Sequence, residues 1–352
     1  MMRRCWMIGV AAVTGAVALA RFNARWRTVT RTVAPELRTP TLALPLPHVN
    51  RHNLALLRLL VSRGTVPLGV RHDVRTVTVS GRDPVAVHLY EPAVRATNSG
   101  ALLWIHGGGF VMGSPAMGHE FCGRVARDLG VLVVSVDYRL APEHPFPAPL
   151  DDCYTSLLWL ARSAATLGVD PDRIAVGGES AGGGLAATLV HMATDRGEPP
   201  IAFQLLVYPM LDERTVLRPD TQHARYYLWD THSNRFAWSS YLGHVPATEP
   251  PPRYAVAARR LDLRGMPPTW IGVGDIDLFL AEDVDYGERL RASGVGVEFL
   301  IVPGMYHGAD AYPNVRTSPT MERFTGAKVD ALRTALANPT SLRNEDRSTA
   351  GR

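Results

Sequence analysis

Residues 174–185 read Ile-Ala-Val-Gly-Gly-Glu-Ser-Ala-Gly-Gly-Gly-Leu and carry the strongest signal in the chain. The apolar run at 174–176 predicts a short buried strand, and a helical pattern follows from residue 181. Between them, residues 178–182 have the spacing Gly-x-Ser-x-Gly, typical of a sharp strand-to-helix turn that exposes a nucleophilic serine. A Cβ atom at 178 or 182 would collide with nearby backbone in such a turn. Ser180 is therefore a candidate nucleophile; the alternative is a glycine-rich turn that only packs a helix on a sheet.

The sequence around this stretch predicts one α/β domain. From about residue 75, short β-rich runs alternate with stretches of helical period, which favours a mostly parallel sheet with helices on both faces. Eight strands are predicted, at 77–79, 85–90, 101–105, 131–136, 174–176, 203–207, 269–273 and 297–302. Five helices are predicted near 117–128, 150–163, 181–195, 281–292 and 320–336.

Two segments fall outside the alternation, at about 29–70 and 212–250. Ligands bind at the carboxyl ends of the strands in sheets of this kind, and insertions after strand ends can roof the pocket there. We therefore expect the two segments to form a helical cap within a domain that spans residues 29–339. Residues 340–352 are predicted to be a polar tail.

A second glycine-rich loop, His106-Gly107-Gly108-Gly109-Phe110, directly follows the predicted strand at 101–105. Backbone N–H groups in such a loop can point at an oxyanion that develops during a reaction. The alternative is a phosphate cradle. However, no Lys-Ser or Lys-Thr pair follows and no Gly-x-Gly-x-x-Gly spacing is present, so the companion residues of a nucleotide site are missing.

A nucleophilic serine needs a base and an acid that orients the base, here in the order serine, acid, histidine. Asp275 and Asp277 follow the predicted strand at 269–273, and His307 follows the one at 297–302. His307 alone among the histidines combines a strand-end loop, flanking glycines and the required order. By position alone, Asp275 and Asp277 both remain candidates for the acid.

With these motifs the sequence resembles the bacterial hormone-sensitive-lipase-like carboxylesterases of the α/β-hydrolase fold. The resemblance covers roughly residues 100–310 and rests on several motifs: residues 106–110, 137–143, 146–148, 151–152, 178–182, 277–279, Glu282, Tyr286 and 307–308. It implies an α/β-hydrolase fold with an eight-stranded, mostly parallel sheet. It also favours Asp277 over Asp275, because Glu282 and Tyr286 keep the family spacing only with Asp277.

The resemblance further implies a set of roles. Ser180 is the nucleophile, His307 the base and Asp277 the acid, and the backbone N–H groups of Gly108, Gly109 and Ala181 form the oxyanion hole. Three positions depart from the family pattern, namely Glu179, Ala281 and Ala309. None of them removes a member of the triad.

The expected activity is that of a serine carboxylesterase acting on small-molecule esters with short to medium acyl chains, without cofactor or metal. Two alternatives stay open. The same triad attacks amides, lactones and thioesters, and relatives that only bind a ligand also occur on this fold. The second alternative is disfavoured because all three triad members are present.

Composition excludes several other classes of protein. The chain has 352 residues, 46% of them apolar and 20% charged, as expected of a globular protein. The net charge of +4 arises mostly from arginines in the first forty residues, so no basic patch indicates a nucleic-acid partner. His48 and His52 lie four residues apart, but no acidic or cysteine partner is spaced to complete a metal site. A disulfide between Cys122 and Cys153 is compatible with the cysteine count, and the sequence gives no prediction of oligomeric state.

The amino terminus resembles a signal or anchor segment. Two arginines precede an uncharged run at residues 5–20, which ends in the small-residue pattern Ala18-Leu19-Ala20. As a helix this run would be about 24 Å long, shorter than the roughly 30 Å hydrocarbon core of a bilayer. We expect residues 1–28 to associate with a membrane or to direct export; the alternatives are a buried helix and a cytoplasmic protein.

Overall fold

An eight-stranded sheet forms the centre of the computed structural model, which describes residues 2–61, 64–223, 226–312 and 315–337. The strand order is β1-β2-β4-β3-β5-β6-β7-β8, and only the pairs β1–β2 and β2–β4 are antiparallel. The predicted α/β class and number of strands are confirmed. The strands are β1 (Val70–Val77), β2 (Val85–Pro92), β3 (Ser99–Ile105), β4 (Leu132–Asp137), β5 (Val169–Glu179), β6 (Phe203–Val207), β7 (Thr269–Gly274) and β8 (Val297–Val302).

The central strands are covered on both faces. Every residue of β3 is buried, with Leu102 and Trp104 on one face and Leu103 and Ile105 on the other. Strands of a parallel sheet that are covered on both sides read as continuous apolar runs, which is why the sequence revealed them.

The helices divide between the two faces. Helices α3 and α10 pack on one face, while α4, α6 and α9 pack on the other. The five predicted helices are confirmed to within two residues at either end. The α-helices of the described residues are α1 (Met2–Thr32), α2 (Leu54–Leu60), α3 (His119–Leu129), α4 (Ala148–Arg162), α5 (Ala164–Leu167), α6 (Ala181–Arg196), α7 (Pro219–His223), α8 (Thr231–Leu242), α9 (Leu280–Ala292) and α10 (Pro319–Leu336).

The cysteine arrangement corrects one sequence interpretation. Cys122 lies in α3 and Cys153 in α4, on opposite faces of the sheet, and both are buried free thiols. The sheet separates the two residues, so the disulfide that the cysteine count allowed does not form.

The first strand also differs from its prediction. The sequence suggested a strand at 77–79, but β1 covers Val70–Val77 and pairs with β2 from Val77 opposite Val85. Most side chains of β1 are exposed at the edge of the sheet, so they lack the apolar pattern that identifies a buried strand. The hairpin therefore starts where the predicted cap segment was expected to end.

The amino-terminal helix α1 extends through residue 32, so the division proposed between residues 28 and 29 falls inside it. The end of α1 and the residues directly after it pack on the domain: Val29 and Val33 are buried, and the N–H of Ala34 donates to the carbonyl oxygen of Gly304. No helix among the residues that the structure describes is long and apolar enough to cross a membrane. The side chains of residues 5–16 and the tail at 340–352 lie outside the described residues.

Candidate active site

The serine of the Gly-x-Ser-x-Gly motif lies where β5 ends and α6 begins. Ser180 adopts φ 53° and ψ −122°, a backbone conformation that side chains other than glycine rarely adopt. A Cβ atom on Gly182 would lie 2.1 Å from the carbonyl oxygen of Ile105, and one on Gly178 would lie 2.3 Å from that of Gly182. The predicted collision at both glycines is therefore confirmed, and the packed backbone holds the strained serine in place.

Ser180, His307 and Asp277 come together in a hydrogen-bonded chain. Nε2 of His307 lies 2.9 Å from Oγ of Ser180, and Nδ1 lies 2.9 Å from Oδ2 of Asp277. An ionised carboxylate can only accept, so Nδ1 carries the proton and the lone pair of Nε2 faces the serine hydroxyl. This arrangement can remove the hydroxyl proton of Ser180 as its oxygen attacks an electrophile.

The two candidate acids, Asp277 and Asp275, make different contacts in the structure. Asp277 is 4% exposed, and its second oxygen accepts the N–H of Phe279 at 2.9 Å, which fixes the carboxylate. Asp275 is exposed, and its Oδ1 accepts the N–H of Gly304 at 2.6 Å. Asp277 thus contacts the histidine, whereas Asp275 holds the loop that precedes it.

The glycine loop after β3 lies beside the serine. A Cβ atom on Gly107 would approach that of Ser180 to 3.3 Å. The carbonyl oxygen of Gly108 accepts the N–H groups of Val111 and Met112, which closes the loop into a turn. Within the described residues, the N–H groups of Gly108 and Gly109 donate to no acceptor, so both are available to a ligand.

His106 supports this loop. The ring is buried, stacks on Tyr138 at 4.3 Å between centroids, and places Nδ1 2.8 Å from the carbonyl oxygen of Gly107. Burial lowers its pKa to about 4, so the imidazole is neutral and Nδ1–H donates to that carbonyl. This agrees with the structural role that the sequence suggested for His106.

A buried polar chain behind His307 was missed in the sequence. The hydroxyl of Tyr208, whose ring packs edge-on against His307, donates to Oδ1 of Asp310 at 2.7 Å. Lys328 donates to the other oxygen of Asp310 at 2.6 Å, and both members of this ion pair are almost fully buried. Lys328 is the only lysine in the chain. Two sequence features could have indicated this pair: Lys328 has no other lysine beside it in the chain, and Asp310 lies three residues after His307.

Two further carboxyl groups near the site have perturbed acidity. Burial, with Asp310 nearby, raises the pKa of Glu179 to about 7. Glu282 is buried in α9, where it accepts the N–H groups of Leu211 and Asp212 and contacts the hydroxyl of Thr215. Burial raises its pKa well above the ordinary range. Glu282 therefore fixes the chain after β6 instead of contacting the triad.

The two predicted cap segments meet above the carboxyl ends of the strands. A cavity of about 660 Å³ lies between residues 42–48 of the first and residues 216–235 of the second. No triad residue is among its lining residues. Trp229 of the second segment does not line the cavity but lies near the triad, with its ring centroid 6.5 Å from that of His307.

Trp229 also packs on the glycine loop. A Cβ atom on Gly109 would lie 2.3 Å from the edge of its indole ring, and Nε1 of the indole is 3.3 Å from the side-chain oxygen of Asn234. Trp229 is 5% exposed. The second cap segment thus closes one side of the space around Ser180.

The histidines weighed as a metal pair do not come together. His48 pairs with Asp230, whereas His52 is exposed and accepts from Nε of Arg51. His48 and His52 therefore do not contribute to one metal site.

Comparison with known proteins agrees with this geometry. Residues 102–311 match the family described as the alpha/beta hydrolase fold. Carboxylesterase NlhH of Mycobacterium tuberculosis is 36% identical over 272 residues, which cover 76% of this chain and 83% of that protein. Esterase LipI of the same organism is 36% identical over 72% of this chain and 79% of its own length. The solved structure of a bacterial heroin esterase superimposes with a TM-score of 0.77, at 36% identity, over 88% of this chain and 99% of the other.

Proposed function

Because the chain belongs to the hormone-sensitive-lipase-like carboxylesterases of the α/β-hydrolase fold, we propose that Ser180, His307 and Asp277 are its catalytic triad. The chain is a carboxylic ester hydrolase that acts on small molecules, as its relatives do. The observation that carries the assignment of residues is the chain of two 2.9 Å contacts from Ser180 through His307 to Asp277.

The reaction follows from these contacts. Oγ of Ser180 attacks the ester carbonyl carbon while its proton moves to Nε2 of His307, and Asp277 stabilises the imidazolium. The oxyanion of the tetrahedral intermediate accepts from the N–H groups of Gly108, Gly109 and Ala181. Each such donor lowers the barrier by about 2.7–4 kcal/mol.

Collapse of the intermediate completes the first half of the cycle. The alcohol leaves with the proton of His307, and the acyl group remains bonded to Ser180. Water then attacks the acyl-enzyme with His307 again as base, which releases the carboxylic acid and restores the serine.

The proposed substrates are esters with short to medium acyl chains. The rings of Trp229, Phe279 and Tyr208 surround His307, with centroids at 6.5, 5.0 and 4.8 Å from its own. Trp229 in addition covers the face of Gly109. A long acyl chain would have to displace this indole, whereas a short one would not.

Replacing Trp229 with alanine should shift the substrate preference towards longer acyl chains, because removal of the buried indole would leave open space beside Ser180. We expect the ratio of kcat/KM for p-nitrophenyl decanoate to that for the butyrate to rise about tenfold. Steady-state kinetics over the ester series measure this ratio.

Two comparisons make this experiment specific. Trp159→Ala in α4 removes a half-buried indole that packs against the core elsewhere, and it should leave the ratio unchanged. Trp229→Phe should give an intermediate shift and guards against loss of stability in the alanine variant. An unchanged ratio in folded Trp229→Ala protein would show that this residue does not limit the acyl site.

Burst kinetics on the same esters separate hydrolysis from the alternatives. An initial burst of nitrophenol followed by steady release indicates an acyl-enzyme that turns over. Binding without release of nitrophenol would indicate a ligand-binding protein. Faster turnover of amides, lactones or thioesters than of esters would place the natural substrate in one of those classes.

Residues 5–20 bring the protein to a membrane or direct its export. Support comes from their uncharged composition and the arginines on both sides. The last turns of α1 instead belong to the enzyme, because Val29 and Val33 are buried and Oγ1 of Thr32 lies 3.1 Å from the hydroxyl of Tyr227.

Deleting residues 1–25 should therefore raise the soluble fraction and leave ester turnover within about twofold of the full chain, since these contacts remain. Deleting residues 1–40 should remove them and destabilise the loop at Gly304, which leads to His307. Cell fractionation and turnover measure the two effects. Full-length protein that stays wholly in the cytosol with its amino terminus intact would contradict the targeting proposal.

A further inference from the structure

Three histidines meet at the edge of the sheet farthest from β8. His72 lies on β1, His88 on β2 and His119 at the first position of α3, which packs over β2. In the register of the hairpin, His72 is opposite Tyr90 and His88 is opposite Val74, so both histidines point to the face that α3 covers. One nitrogen from each of the three rings lies within 4.8 Å of the others.

Their geometry is close to that of a metal centre. Nε2 of His72 and Nδ1 of His88 are 3.0 Å apart, and the ring of His119 lies 4.8 and 5.9 Å from these two rings, centroid to centroid. Two nitrogens bound 2.0–2.1 Å from a tetrahedral ion would be about 3.3 Å apart. The first pair therefore needs to separate by a few tenths of an ångström to admit an ion, and the His119 nitrogen, which lies within 4.8 Å of the other two, has to move inward to complete the site.

Tyr90 holds the third histidine in orientation. Its buried hydroxyl lies 2.7 Å from Nδ1 of His119 and 3.5 Å from the carbonyl oxygen of Pro115. When the hydroxyl donates to that carbonyl, it accepts from Nδ1–H, which leaves the lone pair on Nε2 of His119. A hydrogen bond to the far nitrogen is the usual way in which a metal-binding imidazole is fixed.

The surroundings also suit a bound metal ion. All three rings are half-buried, so the protein screens part of each ring from water. A neutral imidazole carries one lone pair on its unprotonated nitrogen, and one nitrogen from each ring lies within 4.8 Å of the others. One divalent cation satisfies all three at once.

We propose that His72, His88 and His119 bind one transition-metal ion of the zinc class and thereby tie the β1–β2 hairpin to α3. Three imidazole nitrogens and one water would give Zn²⁺ the tetrahedral geometry that it prefers. The site lies apart from Ser180, Asp277 and His307, which follow β5, β7 and β8 respectively. The ion would brace the hairpin against α3, and ester hydrolysis, which uses none of the three ligands, would proceed without it.

A second cluster is the rival site. His48, Asp230 and His232 also place ligand atoms within 4.8 Å of one another. However, the side chain of His48 is 54% exposed, and Oδ1 of Asp230 already accepts the N–H of Ser233 at the start of α8. The histidine cluster on β1, β2 and α3 is better enclosed and is the site that we assign.

Zinc titration of the full chain after chelator treatment tests the proposal. Isothermal titration calorimetry should show one ion bound per chain with a micromolar or lower dissociation constant, and the ion should raise the melting temperature. Co²⁺ in place of zinc should give the visible absorption of a tetrahedral site, a measurement that needs no variant. No binding of either ion at millimolar concentration would overturn the proposal.

Single substitutions locate the site. His72→Gln, His88→Gln and His119→Gln should each weaken zinc binding more than about 100-fold, and Tyr90→Phe should weaken it about 10- to 100-fold. His244→Gln, at a half-buried position outside both clusters, is the matched control and should not change it. Circular dichroism and unchanged ester turnover of the metal-free variants show that they fold. Binding that survives these substitutions, or that is lost in His48→Gln or His232→Gln instead, would overturn the assignment.

Discussion

Replacing Ser180 with alanine should lower kcat for p-nitrophenyl butyrate by about 10⁴- to 10⁶-fold, because no other group in the site can form the acyl-enzyme. The fold should persist, since Ser180 lies at a turn and its backbone is held by Gly178 and Gly182 against the end of β3. Removal of Oγ costs only the contact to His307. Turnover and melting temperature, measured together, separate a chemical loss from unfolding.

Ser156→Ala is the matched control for this substitution. Ser156 is a buried serine of α4 whose hydroxyl donates to the carbonyl oxygen of Asp152, so its loss tests only the removal of a buried hydroxyl. Activity of that variant should stay near that of the parent. A serine-directed phosphonate should label the parent and the control but not Ser180→Ala. If the Ser180→Ala variant retained more than about a tenth of the parental kcat, the proposed mechanism would be wrong.

Local sequence constraints explain why the centre of the site was predictable. Gly178 and Gly182 are required where a Cβ atom would strike backbone, so the turn that positions Ser180 is visible as a motif. The strands that carry the two glycine loops are buried on both faces and appear as apolar runs. Where one local interaction dictates the residue type, the residue type reveals the structure.

Other features depend on contacts between distant parts of the chain. The exposed strand β1 has no apolar alternation, so its extent could not be read from residues 70–77. Asp310 and Lys328 become a buried pair only when α10 packs behind the loop of His307. His72, His88 and His119 are brought together by the β1–β2 hairpin and α3, and their spacing in the sequence matches no metal-binding motif. The end of α1 likewise joins the core only through the fold.

Asp277→Asn should reduce kcat by about 10⁴-fold. In chymotrypsin-like enzymes, the corresponding change leaves the geometry intact but favours the wrong tautomer of the histidine. Here the asparagine amide would turn either its NH₂ group or its carbonyl oxygen, a weaker acceptor than a carboxylate, towards Nδ1 of His307. In the parent this nitrogen lies 2.9 Å from the carboxylate. The proton would then favour Nε2, where it faces Ser180 and prevents that nitrogen from acting as a base. Single-turnover acylation with a p-nitrophenyl ester measures this step directly.

Asp275→Asn is the matched control, since it makes the same chemical change two residues away. Asp275 accepts the N–H of Gly304 with a side-chain oxygen, and the amide oxygen of asparagine can do the same, so acylation should fall less than about tenfold. Because Gly304 precedes His307 by three residues, any loss in this variant should appear as reduced stability of the loop and not as a changed tautomer. A fall in acylation with Asp275→Asn and near-parental rates with Asp277→Asn would reverse the assignment of the acid. It would leave Ser180 and His307 in their roles, because both candidate acids belong to the same loop after β7.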